Sequence, residues 1–348
     1  MKTEYIIPLL FSGTLALAGC GSSDDSEVVD TTDDSDSSVD IEDDDVADVD
    51  TSYFDLASLD SIEVVECTLT NNESSTCYQI TVKGFPADRS EIGPFCPEVI
   101  TATAEDAGKW FDDGVLYDLT GEFIANLDEF YNDNNWLLYD EESGEVNITD
   151  TQTSCEAAAV VDVAEEYHNY CVQCDLDYYS DVEGEGIYST YLIPTTPVVR
   201  DSAGDIDGEN VGVAFNGVNL AAAAPAEVIL SAYTIAAFDD CVGHVNPVAG
   251  YHYHGANHGD GDCPAIAFES DGHGGAFAYA MDGFVIYSML DEEGNEASDL
   301  DECRGHTDDV RGYHYHSAGP GENAFIGCFT GETASADDDN EMDERPGR

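Results

Sequence analysis

One sixteen-residue phrase occurs twice in this chain and constrains its fold more than any other feature. Residues 239–254 read DDCVGHVNPVAGYHYH and residues 301–316 read DECRGHTDDVRGYHYH, a single pattern D-[DE]-C-x-G-H-x5-G-Y-H-Y-H at an offset of 62 residues. Cys241 matches Cys303, His244 matches His306, and His252 and His254 match His314 and His316. In an extended segment, side chains alternate between faces at about 3.3 Å per residue, so His252 and His254 share a face with Cβ atoms roughly 6–7 Å apart. Two imidazoles so placed can grip one metal ion, with His244 as the third ligand. The same reading applies to His306, His314 and His316. The tyrosines between the histidines take the opposite face, toward a core. Asp239, Asp240, Asp301 and Glu302 are candidates to orient the imidazoles through their other ring N–H.

Eight of the nine histidines fall between residues 244 and 316, which adds His258 and His273 as further candidate ligands. His168 alone lies outside and reads as a helix-surface residue. If the two copies face each other, their six imidazoles hold either one shared site or two adjacent ones. Imidazole ligands suit copper or zinc, with a lean to copper because tyrosines beside the site are compatible with redox chemistry. The competing reading is a scaffold in which each imidazole hydrogen-bonds to a carboxylate or carbonyl.

The chain starts with Lys2, a short apolar run and Leu17-Ala18-Gly19-Cys20. This resembles a bacterial lipoprotein signal, with residues 1–20 as the signal and Cys20 the lipidated residue; the run is too short to span a bilayer. Gly21-Ser22 carries no aspartate retention signal, so the expectation is an exported lipoprotein of the outer membrane of a Gram-negative bacterium. Ten cysteines remain after Cys20, an even number for an oxidising compartment: Cys67, Cys77, Cys96, Cys155, Cys171, Cys174, Cys241, Cys263, Cys303 and Cys328. Five disulfides are expected, two of them joining the cysteine of each phrase to a later one, Cys241 to Cys263 and Cys303 to Cys328, with the other pairings left open. Cys171-x-x-Cys174 as a redox or zinc pair is the minor alternative.

Asp plus Glu number 75 against nine Lys plus Arg, a formal charge of −66. Such a chain repels nucleic acid and anionic lipid, so neither is an expected partner; membrane contact is through the lipid anchor only. The expected partner is a metal ion, and nothing in the sequence names a protein partner. Residues 21–54 are acidic and poor in apolar groups and read as a disordered tether, residues 55–331 as the body, and 332–348 as a polar acidic tail.

Within the body, Ile62–Glu66 and Tyr78–Val82 read as strands around an Asn71-Asn72 turn. Ala104–Phe111 and Cys155–Tyr167 read as short helices. Ile187–Ile193, Val211–Phe215 and Val228–Ile235 read as strands, with a hairpin at Asn216-Gly217. The fold class expected is mainly β with a few short helices and long irregular loops, stapled by disulfides and holding an internal duplicated histidine-rich unit.

The doubled GYHYH with D-[DE]-C-x-G-H upstream resembles the YHYH domain family of bacterial exported proteins. Val211–Val218 is similar to that family's glycine-asparagine-glycine-valine hairpin. Met281–Tyr287 is similar to its aspartate-glycine-phenylalanine-proline-isoleucine-tyrosine segment, with Val285 in place of the proline and Ser288 in place of a following glycine. Lys83–Asp88 is similar to its asparagine-glycine-x-proline-x-histidine opening, with Lys83 and Asp88 departing from it. The resemblance is strongest over residues 187–331 and implies a fold neighbourhood without a settled activity.

The functional expectation is a cell-envelope lipoprotein that binds or handles a transition metal through the duplicated units. A metal-dependent oxidoreductase or hydrolase, with Asp282 as a candidate base, is the first alternative. A structural or adhesion module with hydrogen-bonded histidines is the second. No nucleophile elbow, phosphate loop or helical HExxH motif occurs.

Overall fold

The computed structural model describes residue 41 and residues 45–180, 185–206, 210–258, 263–266 and 270–335. The expected signal, Cys20, most of the tether and the end of the tail lie outside these residues. The chain runs first through a long antiparallel hairpin, β1 (Leu59–Leu69) and β2 (Ser74–Val82). A second hairpin follows, β3 (Lys109–Asp112) and β4 (Val115–Asp118). Here a helix was expected over Ala104–Phe111, but only Ala104–Asp106 coils, as one 3-10 turn. The reason is Asp113-Gly114, both at positive φ (49° and 77°), a two-residue turn whose twist matches a hairpin.

Three short helices come next, α1 (Gly121–Ala125), α2 (Leu127–Phe130) and α3 (Gln152–Ala158). The helix expected over Cys155–Tyr167 begins earlier, where Thr151 and Ser154 form a reciprocal cap, and stops at Ala158. The β-branched Val160, Val161 and Val163 beyond it are poor helix formers. Four strands lead to the next turn: β5 (Cys171–Val172), β6 (Ser189–Pro194), β7 (Val199–Gly204) and β8 (Asn210–Ala214). After β9 (Asn219–Ala221), residues Ala226–Ser231 form α4 rather than the strand expected over Val228–Ile235. Pro225 supplies the N-cap of α4, and Tyr233 at φ 55° turns the chain out of it into β10 (Ile235–Ala236).

The rest is β: β11 (Gly243–Asn246), β12 (Gly250–Tyr253), β13 (Ala276–Ala280), β14 (Val285–Tyr287), β15 (Gly305–Asp308), β16 (Gly312–His316), β17 (Phe329–Gly331) and β18 (Ala334–Ser335). The fold is therefore mainly β with short helices, as its sequence implies. Val49 and Phe54 are buried in the core and β18 pairs with β1, so the packed body reaches past 55–331 at both ends. Among the described residues no helix is long and apolar enough to cross a membrane.

The central sheet has eight strands in the order β11-β12-β9-β8-β13-β14-β16-β15. That order is a palindrome of two four-stranded halves. In the first, hairpin β8–β9 sits beside hairpin β11–β12, with Tyr253 opposite Leu220 in a parallel ladder. In the second, hairpin β13–β14 sits beside β15–β16, with Tyr315 opposite Ile286. The duplication visible in the GYHYH phrase thus extends to an upstream hairpin, with Asn216-Gly217 matching Asp282-Gly283. The two GYHYH strands stand five strand spacings apart, on the order of 24 Å along the sheet. Each half carries its own disulfide, Cys241–Cys263 or Cys303–Cys328. The other three are Cys67–Cys77, Cys96–Cys171 and Cys155–Cys174, so Cys171 and Cys174 do not pair with each other.

Candidate metal centres

Each residue of the repeated phrase has a mechanical task. Asp239 Oδ1 accepts from the backbone N–H of Cys241 and Gly243 (both 3.0 Å), and Asp301 Oδ1 accepts from Cys303 and Gly305 (2.9 and 2.8 Å). This cap holds Val242 and Arg304 at positive φ, 58° and 70°. The glycine that follows admits a tyrosine: a Cβ at Gly243 would meet the Tyr251 hydroxyl at 2.3 Å, and one at Gly305 the Tyr313 hydroxyl at 2.0 Å. Those hydroxyls donate back to Asp239 Oδ2 and Asp301 Oδ2, at 2.7 Å in both halves. Asn246 and Asp308 cap the hairpin turns in the same way, each accepting from two backbone N–H groups.

The acidic residues therefore serve the turn and the tyrosines, and none of the four expected to orient an imidazole does so. Asp240 pairs with Lys109 (3.3 Å), and Glu302 makes no imidazole contact among the described residues. Asp239 also holds the Arg89 guanidinium (2.9 Å). The tyrosines one strand position on are held likewise. Asn216 Nδ2 donates to the Tyr253 hydroxyl (3.0 Å), and the Tyr315 hydroxyl donates to Asp282 Oδ2 (2.6 Å). All four of these tyrosine hydroxyls thus point away from the imidazoles.

With the tyrosines fixed on one face, the histidines converge on the other. His244 stands directly opposite His252 in the β11–β12 ladder, and His306 opposite His314 in β15–β16. Their Nε2 atoms are 3.0 Å apart in each half. His254 and His316 complete the groups, and His273 joins the second, its Nε2 at 3.1 Å from that of His314. His306 and His316 bring their Nε2 atoms to 3.2 Å. The candidate ligand atoms of His244, His252 and His254 lie within 4.8 Å of one another, as do those of His273, His306, His314 and His316. Four nitrogens held tetrahedrally at 2.0–2.1 Å from one ion stand about 3.3 Å apart.

The other ring nitrogens fix the tautomers in the second group. His314 Nδ1 donates to the Gly312 carbonyl (2.9 Å), His316 Nδ1 to Ser288 (2.8 Å), His273 Nδ1 to Gly274 (2.9 Å) and His306 Nδ1 to Asp299 Oδ1 (2.9 Å). These oxygens only accept, so each ring hydrogen is on Nδ1 and each neutral ring presents a lone pair at Nε2. In the first group His252 Nδ1 donates to the Gly250 carbonyl (2.9 Å) in the same manner. Burial disfavours the charged ring at several of these positions: it lowers His252 and His316 to about 4 and His314 to about 3. His244 and His254 are pushed well below the ordinary imidazole range by burial and then by the neighbouring His252, and burial lowers His273 as well.

The halves differ around these groups. In the second, Arg311 of the β15–β16 turn pairs with Asp271 (2.6 Å) and so anchors the loop that carries His273. The Tyr287 ring packs against His273 and His314, with centroids 4.8 and 4.9 Å apart. In the first, Ala249 occupies the place of Arg311 and Ala221 that of Tyr287. Phe238 packs on His244 (4.7 Å), and a cavity of about 660 Å³ reaches His244, His252 and His254.

Two expected residues fall outside both groups. His258 packs against Phe277 and donates Nδ1–H to the Pro264 carbonyl (3.1 Å). Asp282 is fully buried at the tyrosine face, bonded to Tyr315 and to the N–H groups of Phe284 and Gly331. Burial raises it to about 6, but it is scaffold and faces no imidazole. The six histidines of the phrase hold two separate groups rather than one shared site.

Comparison with curated proteins and with solved structures found no match. A family model described as YHYH protein matches residues 190–299, which takes in β8 to β14 and the whole first histidine group but stops short of the second phrase. Over residues 190–299 the chain is thus similar to the YHYH family, in line with the resemblance carried by its motif.

Proposed function

We propose that this chain is a two-centre transition-metal protein of the cell envelope, held at the membrane by a lipid on Cys20. One observation carries the metal reading. In the second group the Nδ1–H of His273 and of His314 is given to a backbone carbonyl, yet their Nε2 lone pairs face each other at 3.1 Å, with the Nε2 of His306 at 3.0 Å from that of His314 and 3.2 Å from that of His316. Lone pairs at that separation repel unless a cation lies between them, and neutral imidazole is the form that binds a metal. Sulfur is withdrawn from coordination because all ten described cysteines are in disulfides. An all-imidazole set suits zinc or copper.

Export is supported by the Leu17-Ala18-Gly19-Cys20 sequence and by five disulfides, which persist in oxidising compartments. The test is metal analysis of the purified chain. The native protein is expected to hold two ions. Paired replacement of His252 and His254 by Ala, or of His314 and His316 by Ala, should remove one ion each. A native protein without stoichiometric metal overturns the reading.

A further inference from the structure

The cavity at the first group exists because of small side chains. Ala221–Ala224 and Ala236-Ala237 line it where bulkier residues would fill the space. At its rim stand Val160, Val161 and Val248, exposed by 49%, 69% and 63%. Its volume of about 660 Å³ lies within the range of small-molecule sites. On the wall, Asn219 sits beside His252 in the parallel β9–β12 ladder, so both side chains face the same way. Asn219 is only 6% exposed, and its Oδ1 has no hydrogen-bond partner among the described residues. A buried carbonyl oxygen without a donor is costly, about 1–3 kcal/mol, which marks the place where a donor is supplied from elsewhere. Its counterpart in the second half is Val285, which has no such need.

We propose that the three-histidine centre is the ligand-exchange site of this protein. Its ion keeps one coordination position open to the cavity. That position takes a small neutral molecule with an apolar body, a nitrogen or oxygen that coordinates, and an N–H or O–H directed at Asn219 Oδ1. The inference rests on the metal reading above. It extends that reading by separating the roles of the halves: three protein ligands leave a position for a guest, and four close the coordination sphere. The alanine and valine lining selects for an apolar body, and the acidic protein disfavours anions.

Cobalt(II) bound to the full chain gives visible bands that report its ligands. With His314→Ala and His316→Ala, cobalt is confined to the first centre, and added 4-phenylimidazole should shift those bands saturably. The N-methylated analogue 1-methyl-4-phenylimidazole, which has no N–H, should bind about tenfold more weakly. Asn219→Ala should abolish that difference. Ala221→Tyr, which copies the second half and keeps all three histidines, should block both compounds. With His252→Ala and His254→Ala, the cobalt remaining in the second centre should not respond. One cobalt held at the first centre with bands that ignore 4-phenylimidazole overturns the inference and leaves the metal reading standing. So does an equal response from both centres. Failure of the first centre to hold cobalt at all overturns both.

Discussion

The two halves of the central sheet share a capped hairpin, a buried tyrosine pair and a disulfide, but they part at four places around the imidazoles. Where the first half has Asn219, Ala221 and Ala249, the second has Val285, Tyr287 and Arg311, and the second alone recruits a fourth histidine, His273. The scaffold positions are alike because they make the strand: caps, close glycines and tyrosine hydroxyls are needed wherever three imidazoles must share a face. The divergent positions touch only the space in front of the imidazoles. One scaffold written twice thus carries a three-histidine group beside a cavity and a four-histidine group under an aromatic ring.

The largest effect that bears on this comparison is loss of metal. His252→Ala with His254→Ala should cost one ion and leave the second centre's affinity unchanged, and His314→Ala with His316→Ala should do the reverse. Isothermal titration on each variant checks this; a change in both centres from one pair would join what the fold separates.

A second contrast lies on the tyrosine face, where Asn216 in one half corresponds to Asp282 in the other. Burial raises Asp282 from 3.8 to about 6, so between those values the native state holds a proton that the unfolded chain has lost. The stabilisation it contributes is present below pH 4 and is lost as pH rises through about 6. Asp282→Asn, which copies the first half, where Asn216 donates to the tyrosine hydroxyl, removes this titration and should therefore gain stability over the native chain by on the order of 3 kcal/mol between pH 4 and pH 7.5. Denaturant melts of both proteins across that range test it; a pH-independent difference would contradict the buried carboxylate.

Smaller still is the clamp on the loop that carries His273. Arg311→Ala breaks the pair with Asp271 and should weaken metal at the second centre about 10–100-fold while sparing the first. Competition with a chelator reads that difference, and equal weakening at both centres would remove the clamp from the account. Gly305→Ala would push a Cβ against the Tyr313 hydroxyl and should destabilise the fold by about 1–3 kcal/mol. Thermal melts measure that loss.

Much of the site is legible in the sequence because a strict period of two puts His252 with His254 and His314 with His316, whatever surrounds them. The per-copy disulfides follow from the cysteine spacing. The rest is written in weaker signals. The upstream hairpins match at Asn216-Gly217 and Asp282-Gly283, but their flanking strands share only apolar character, which hides the larger duplication. His258 and His273 look alike as loop histidines. Contacts between residues far apart in the chain, the Arg311–Asp271 pair and the packing of Tyr287 on His273 among them, bring one of them into a centre. Asp239 and Asp301 look like partners for imidazoles until the D-x-C-x-G spacing is read as an Asx cap on a left-handed turn. The run around Val228 is apolar enough for a strand, and Pro225 decides it for a helix.

The unequal coordination of the two centres is tested most directly by X-ray absorption at the zinc edge on the two single-centre variants loaded with zinc. The account predicts four imidazole ligands in the chain that keeps His273, His306, His314 and His316. In the chain that keeps His244, His252 and His254, it predicts three imidazoles plus one light ligand from outside the protein. Four imidazoles in both, or zinc in neither, would contradict it.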